Sequence, residues 1–120
     1  MRYVRPGEDF RTSFKLFNKC DVNGSNELSL FRFLKKSCPP PNEVFKPPKS
    51  LSYSPFRAND IRWNFEKFLL DRNGRVNMRF DSRTESERME PFIEILLNGG
   101  NLSDLKKFSN KLIKKNLIRI

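Results

Sequence analysis

The chain has 120 residues, 37% hydrophobic and 32% charged, with 24 Lys+Arg against 14 Asp+Glu for a formal net charge of +10. A chain of this length holds at most one domain and buries roughly two-thirds of its unfolded surface, so the 12 Phe supply most of a thin core. The absence of His, with only Cys20 and Cys38 present, excludes His-ligated metal sites, Ser-His and Cys-His nucleophile pairs, imidazole acid–base chemistry and a disulfide framework.

The positive balance raises nucleic acid, an anionic membrane surface or an anionic small substrate as partners. Its distribution is uneven. Lys106, Lys107, Lys111, Lys114, Lys115 and Arg119 stand against Asp104 alone, so the last twenty residues carry half of the net charge. Cys20 and Cys38 read as free thiols. No apolar run approaches the length of a membrane span, and Met1-Arg2-Tyr3 does not open a signal peptide.

In chain order, residues 3–9 (YVRPGED) read as a short extended piece running into a Pro6-Gly7 turn. Arg5 and Arg11 flank the next segment as solvated charges or anion contacts. Phe10, Phe14, Leu16 and Phe17 lead to Asn23-Gly24, a strong turn signal. The stretch 25–36 predicts a helix capped by Ser25 or Asn26, with Glu27 at its positive end, an apolar face of Leu28, Leu30, Phe31 and Leu34, and Lys35-Lys36 at its close. Residues 38–59 hold six prolines, Pro39, Pro40, Pro41, Pro47, Pro48 and Pro55, and predict a long loop that is either a solvated excursion or an interface.

The stretch 60–70, DIRWNFEKFLL, contains the only Trp. Its dense apolar run of Ile61, Trp63, Phe65, Phe68, Leu69 and Leu70 predicts a strand buried on both faces. Asp71-Arg72-Asn73-Gly74 then turns into Val76, Met78 and Phe80, which alternate with polar residues, so the pattern is a hairpin with one exposed or ligand-facing side. Residues 82–87 have helix-cap character. Met89, Phe92, Ile93, Leu96 and Leu97 recur at helical spacing with Pro91 early in the helix, and Asn98-Gly99-Gly100 ends it. Past that point Leu102, Leu105, Phe108, Leu112, Ile113 and Leu117 alternate with lysines. This is the pattern of a basic amphipathic helix for a membrane surface or an acidic partner, or of a periodic low-complexity extension.

Several of these segments together, YVRPGEDF, F.LFNKCDVNG, LFRFLKKSCPPP, NDIRWNFEKFLLDRNGRVNMRFDSRTE and MEPFIEILL, resemble the glutathione peroxidase family. The likeness runs from about Arg2 to Leu97 and is most specific at WNFEKFL and F.LF.K.DVNG. The SCPPP segment and long loop are closest to the plasma and other long-loop members, whose loop serves assembly. The resemblance implies an α/β, partial thioredoxin-like fold in the order strand, helix, long loop, β-hairpin, helix. It divides the chain into the C-terminal part of a peroxidase domain over 1–97 and a basic tail over 98–120 that is helical or disordered and not family-like.

The function so implied is reduction of hydrogen peroxide or organic hydroperoxides, with glutathione as reducing co-substrate, in oxidative-stress defence, in a secreted or cytoplasmic setting. In the family a selenocysteine or cysteine nucleophile, a Gln, a Trp and an Asn surround the peroxide, and the last two match Trp63 and Asn64. On residues alone Trp63 is a core aromatic. By the resemblance, its indole N–H and the Asn64 amide are donors that stabilise a chalcogenide anion. Arg5, Arg57, Arg79 and Arg83 fall where arginines bind the carboxylates of glutathione, a task suited to guanidinium forks. The nucleophile and Gln segments have no match in this chain. Cys20 does not stand at the nucleophile position, and an unactivated thiol with a pKa of about 8.5 is mostly protonated at neutral pH.

The chain alone is therefore expected to lack turnover. Two other readings remain: a non-catalytic fragment joining full-length subunits through the 38–59 loop, and a basic-tail membrane or nucleic-acid binder. No interleaving of aromatic and basic residues supports specific nucleic-acid recognition. No metal or other cofactor is implied.

Overall fold

The computed structural model describes residues 11–42 and 47–115. The extended piece expected over 3–9, with Arg5, lies outside the described residues. The order is α1 (Ser29–Ser37), a 3-10 turn (Pro48–Ser50), β1 (Lys67–Leu70), β2 (Val76–Phe80), a second 3-10 turn (Ser86–Arg88), α2 (Glu90–Leu97) and α3 (Leu102–Ile113). This is a small α/β structure of three helices and one two-stranded antiparallel sheet. Among the described residues no strand precedes α1, and no helix is long and apolar enough to cross a membrane.

Helix α1 starts four residues later than its sequence pattern suggests. Neither Ser25 nor Asn26 caps it; the N-cap is Leu28, without a side-chain cap. The residues before it belong to a compact turn in which Leu28 N–H donates to the Asp21 carbonyl (2.8 Å) and Ser25 N–H to the Ser54 carbonyl (2.9 Å). Gly24 sits where these two segments meet, at φ +84°, and a Cβ there would stand 3.1 Å from the Ser54 carbonyl oxygen. Gly24→Ala should therefore lower stability by about 1–2 kcal/mol, the cost of left-handed backbone for an L side chain, as read from the urea midpoint.

The hairpin forms where Asp71 through Gly74 predict it. Asp71 Oδ1 accepts from the backbone N–H of Asn73 (2.9 Å) and Arg75 (3.0 Å), and these bonds, that from Arg75 foremost, hold the carboxyl below its usual pKa. The register pairs Lys67 with Phe80, Phe68 with Arg79 and Leu69 with Met78, and it shifts at Leu70, which meets Val76. Two faces result. Leu69, Met78 and Phe80 point to one side, where with Phe92 and Leu105 they make the core, flanked by Met89, Ile95, Leu96, Phe108 and Leu112. Phe80, Phe92 and Phe108 stack edge to face with ring centroids 5.1 and 5.0 Å apart, a geometry the ring quadrupoles favour.

The opposite face is not open as the alternation suggests. Arg79 is buried there, its guanidinium 5.1 Å from the Phe68 ring centroid.

Past Asn98, Leu102–Ile113 is an α-helix. Asn101 Oδ1 accepts from Ser103 N–H (2.8 Å) and Asp104 N–H (3.4 Å), while Asp104 Oδ2 accepts from Asn101 N–H (3.0 Å). This capping box satisfies otherwise orphaned helix donors. Gly100 allows the tight corner before it, since a Cβ there would lie 2.6 Å from the Ile95 carbonyl oxygen. The apolar side of α3 faces the core, with Leu105 wholly buried and Phe108 and Leu112 packed against the cluster, while Leu102 and Ile113 at its ends are exposed.

Candidate functional site

The expected buried strand over 60–70 divides in two. Only Lys67–Leu70 is strand. Residues before it form an irregular turn that carries Trp63, 52% exposed, and Phe65, 83% exposed. Asn64 is exposed beside them. The apolar run is mispredicted because Phe65 adopts φ +63°, a left-handed conformation that breaks extended pairing and is rare for a bulky residue. Such backbone persists where its surroundings over-determine it, and it clusters at functional sites.

What surrounds the turn is a network of charge. Glu66 accepts from Arg62 backbone N–H through Oε1 and from Arg79 Nε through Oε2 (2.7 Å). Arg79, its side chain 1% exposed, also donates from Nη1 to the Asn59 carbonyl (2.8 Å) and from Nη2 to the Asp60 carbonyl (3.0 Å). On the other flank Lys35 Nζ donates to Asn23 Oδ1 (3.0 Å) and Asp60 Oδ1 (3.0 Å) and contacts Glu27 Oε2. Asn23 reaches Ile61, accepting from its N–H and donating to its carbonyl, both at 2.9 Å.

Burial of Lys35, Glu27 and Asp60 at 2% side-chain exposure or less is tolerable only because each charge has an opposite partner and hydrogen bonds. The Lys35 hydrogen bond, helped by Arg32 and Arg57, holds the Glu27 carboxyl below its usual pKa against the opposing effect of burial.

The sequence-derived site residues are distributed over this arrangement. Arg57 donates from Nη1 to Glu27 Oε1 (2.8 Å) and from its backbone to Asp60 Oδ2 (2.8 Å). With Arg32, Lys36 and Asn59 it lines an open cleft of about 300 Å³, next to a second of about 680 Å³ between Lys36, Pro40, Ala58 and Arg62. Arg57 and Arg79 thus converge on Asn59 and Asp60, just ahead of Trp63.

Arg79 does so from inside the protein. Its guanidinium is enclosed by Glu66 and two carbonyls, so the carboxylate it meets here is the protein's own. Arg83 is apart, 58% exposed in its side chain, and forks onto Asp81 (Nε–Oδ1 2.8 Å, Nη2–Oδ2 3.0 Å), which raises its pKa.

Both thiols are free. Cys20 is exposed, and burial pushes the Cys38 thiol above its ordinary pKa, countered in part by Arg79, the reverse of what a nucleophile needs.

Asn23, Glu27, Lys35, Asp60 and Glu66 were not legible as site residues. Asn23 reads as a turn former, Glu27 as a helix-dipole charge and Lys35 as part of the basic close of the helix. The one usable signal is that DVNG and WNFE both belong to the segments most specific for the family.

Curated relatives match over most of the chain. It is 46% identical over 98 residues to glutathione peroxidase 6 of Rattus norvegicus, covering 82% of this chain and 44% of the relative. Identity to the epididymal secretory glutathione peroxidase of Macaca fascicularis is 43% over 111 residues, 92% of this chain and 47% of the relative. Glutathione peroxidase 3 of Bos taurus is 49% identical over 84 residues, 70% and 37%. The chain spans less than half the length of these relatives. No family model matches it. Identity at this level over 70–92% of the chain leaves one assignment: the chain belongs to the glutathione peroxidase family.

Proposed function

We propose that this chain supplies the Trp63–Asn64 half of a peroxide-reducing site on a thioredoxin-like framework, where hydrogen peroxide or an organic hydroperoxide is reduced at the expense of glutathione. The observation that carries the reading is the turn itself. A Trp and an Asn are held out toward solvent on backbone strained at Phe65 and anchored by buried charges. Residues placed only for packing would not be presented in this way. In this role the indole N–H and the Asn64 amide donate to a chalcogenide anion and to the oxidised species that follows. Preorganised donors of this kind act by stabilising developing negative charge without reorganisation.

Of the sequence-derived arginines among the described residues, Arg57, at the rim of the cleft, and Arg83, on the surface, have positions that suit a glutathione carboxylate; each would exchange its present carboxylate partner for the ligand's. Arg79 we assign to holding the turn. Neither Cys20 nor Cys38 stands at the family's nucleophile position, and Cys38 is disfavoured as a thiolate by burial. The 120 residues alone therefore do not turn over peroxide.

Peroxide-dependent glutathione oxidation by the purified chain should equal the protein-free rate, and a clear excess would sink that part. Joined to the remaining half of one of the matched relatives, the chain should regain glutathione-dependent peroxide reduction. In that chimera Trp63→Phe should lower the rate by about 100-fold, the scale of losing one preorganised donor. An undiminished rate would remove Trp63 from the site.

A further inference from the structure

We propose that Asn23 is the positioning residue of the Trp63–Asn64 turn: its carboxamide splints the backbone of Ile61, two residues before the indole, and Lys35 fixes which way round the amide sits. The inference rests on the reading of Trp63 and Asn64 as site donors, and it adds how they are held.

The bonding is unusually complete for one side chain. Asn23 Nδ2 donates to the Ile61 carbonyl and Oδ1 accepts from the Ile61 N–H, both at 2.9 Å. Both backbone groups of Ile61 are thus satisfied, as they would be in a sheet, by a residue 38 positions away. An amide that could flip would be a poor splint. Here it cannot, because Lys35 Nζ lies 3.0 Å from Oδ1. An ammonium group offers only donors, so the atom facing it must be the oxygen. Lys35 is in turn fixed by Asp60 and Glu27 in a site closed to water.

Arg79 holds the same limb upstream, at the Asn59 and Asp60 carbonyls, and Glu66, just past Phe65 and paired with Arg79, closes the far end by accepting from Arg62 N–H. Between these two anchors stand Trp63, Asn64 and the strained Phe65. Without the anchor at Ile61, the limb leading into Trp63 loses both backbone hydrogen bonds of that residue, and the donors lose the fixed geometry on which preorganised stabilisation depends.

The alternative is that Asn23 merely shapes the turn before Gly24. Asn23→Asp separates the two roles. Aspartate has the same size, keeps an oxygen toward Lys35 and is equally suited to such turns, but it replaces the Nδ2 donor by an oxygen facing the Ile61 carbonyl. Because Trp63 is the only Trp, its fluorescence reports the turn in the full 120-residue chain without labelling.

In Asn23→Asp and in Asn23→Ala, Trp63 emission should shift to the red and the fast-depolarising fraction of its anisotropy should rise, with the far-UV helix signal retained. Asn77→Asp removes a comparable amide bond, from Nδ2 to the Arg75 carbonyl at 2.9 Å, and should leave Trp63 unchanged. Wild-type emission and anisotropy in folded Asn23→Asp would overturn the proposal. If neither Asn23 variant folds, amide exchange of the unaltered chain decides. The Ile61 N–H should exchange well below its intrinsic rate, and exchange at that rate would overturn the splint. These readouts require no turnover, so they stand or fall separately from the peroxidase activity of the chimera.

Discussion

Leu105→Ala is expected to destabilise the protein by about 3 kcal/mol, within the range for truncating a fully buried leucine, as measured by urea unfolding followed in the far-UV. Leu105 is wholly buried and belongs to the same cluster as Phe80 and Phe92. The Ala side chain leaves a void that this core has little means to close, because its other walls are a two-stranded sheet and one short helix. Domains of this kind have only about 5–15 kcal/mol of stability in total, so the loss is a large fraction. Removing α3 altogether, by ending the chain after Gly100, should abolish the cooperative transition. A dispensable extension would instead leave the urea midpoint of both variants at the wild-type value.

Glu27→Gln carries the second large effect, about 3 kcal/mol at neutral pH, because it leaves Lys35 buried with a weakened set of partners. Its pH dependence has a definite sign. The Glu27 pKa is lowered in the folded chain, chiefly by the hydrogen bond to Lys35. A depressed carboxyl stabilises the fold fully above its unfolded pKa of about 4.3. That contribution disappears as pH falls through the folded value.

The wild-type advantage over Glu27→Gln should therefore be constant from neutral pH down to the ordinary carboxylate range and should shrink below it. Urea midpoints of both proteins at pH 6 and pH 3 check this. The effect of Asp71 and other carboxyls is common to the two chains and cancels in the difference. An advantage that grew on acidification would contradict the arrangement of Lys35, Arg32 and Arg57 around this carboxylate.

Local chemistry was legible wherever it closes on itself. Asp71 to Gly74 forms the turn its composition predicts because the hydrogen bonds that close it, at the backbone and the Asp71 carboxylate, lie within five residues. Helix α2 begins with Pro91 in its first turn and ends at Asn98 for the same reason. The run from Ile61 to Leu70 misled because a count of apolar residues contains no information on φ. Phe65 is left-handed in a turn whose flanking residues Ile61 and Glu66 bond to Asn23 and Arg79, which are distant in sequence. Helix α3 was legible as a helix but not in what it packs against. Its lysine-rich pattern suits lipid, an acidic partner or a core equally well, and the partner of the apolar stripe is not written in the stripe.

By itself, the sequence determined the family, the hairpin and the helical segments, because these depend on short motifs and local spacing, and it singled out Trp63 and Asn64 as the donors proposed above. Tertiary structure alone decided that Trp63 stands half out in solvent, that Arg79 is enclosed, and that Lys35, Glu27 and Asp60 form a buried set of charges. The physical reason is desolvation. Whether a Lys or an Arg is a surface charge or a structural clamp depends on whether a carboxylate from a remote segment comes within hydrogen-bond reach as water leaves. Here such pairings join Arg79 to Glu66 across 13 positions, Lys35 to Asp60 across 25 and Arg57 to Glu27 across 30.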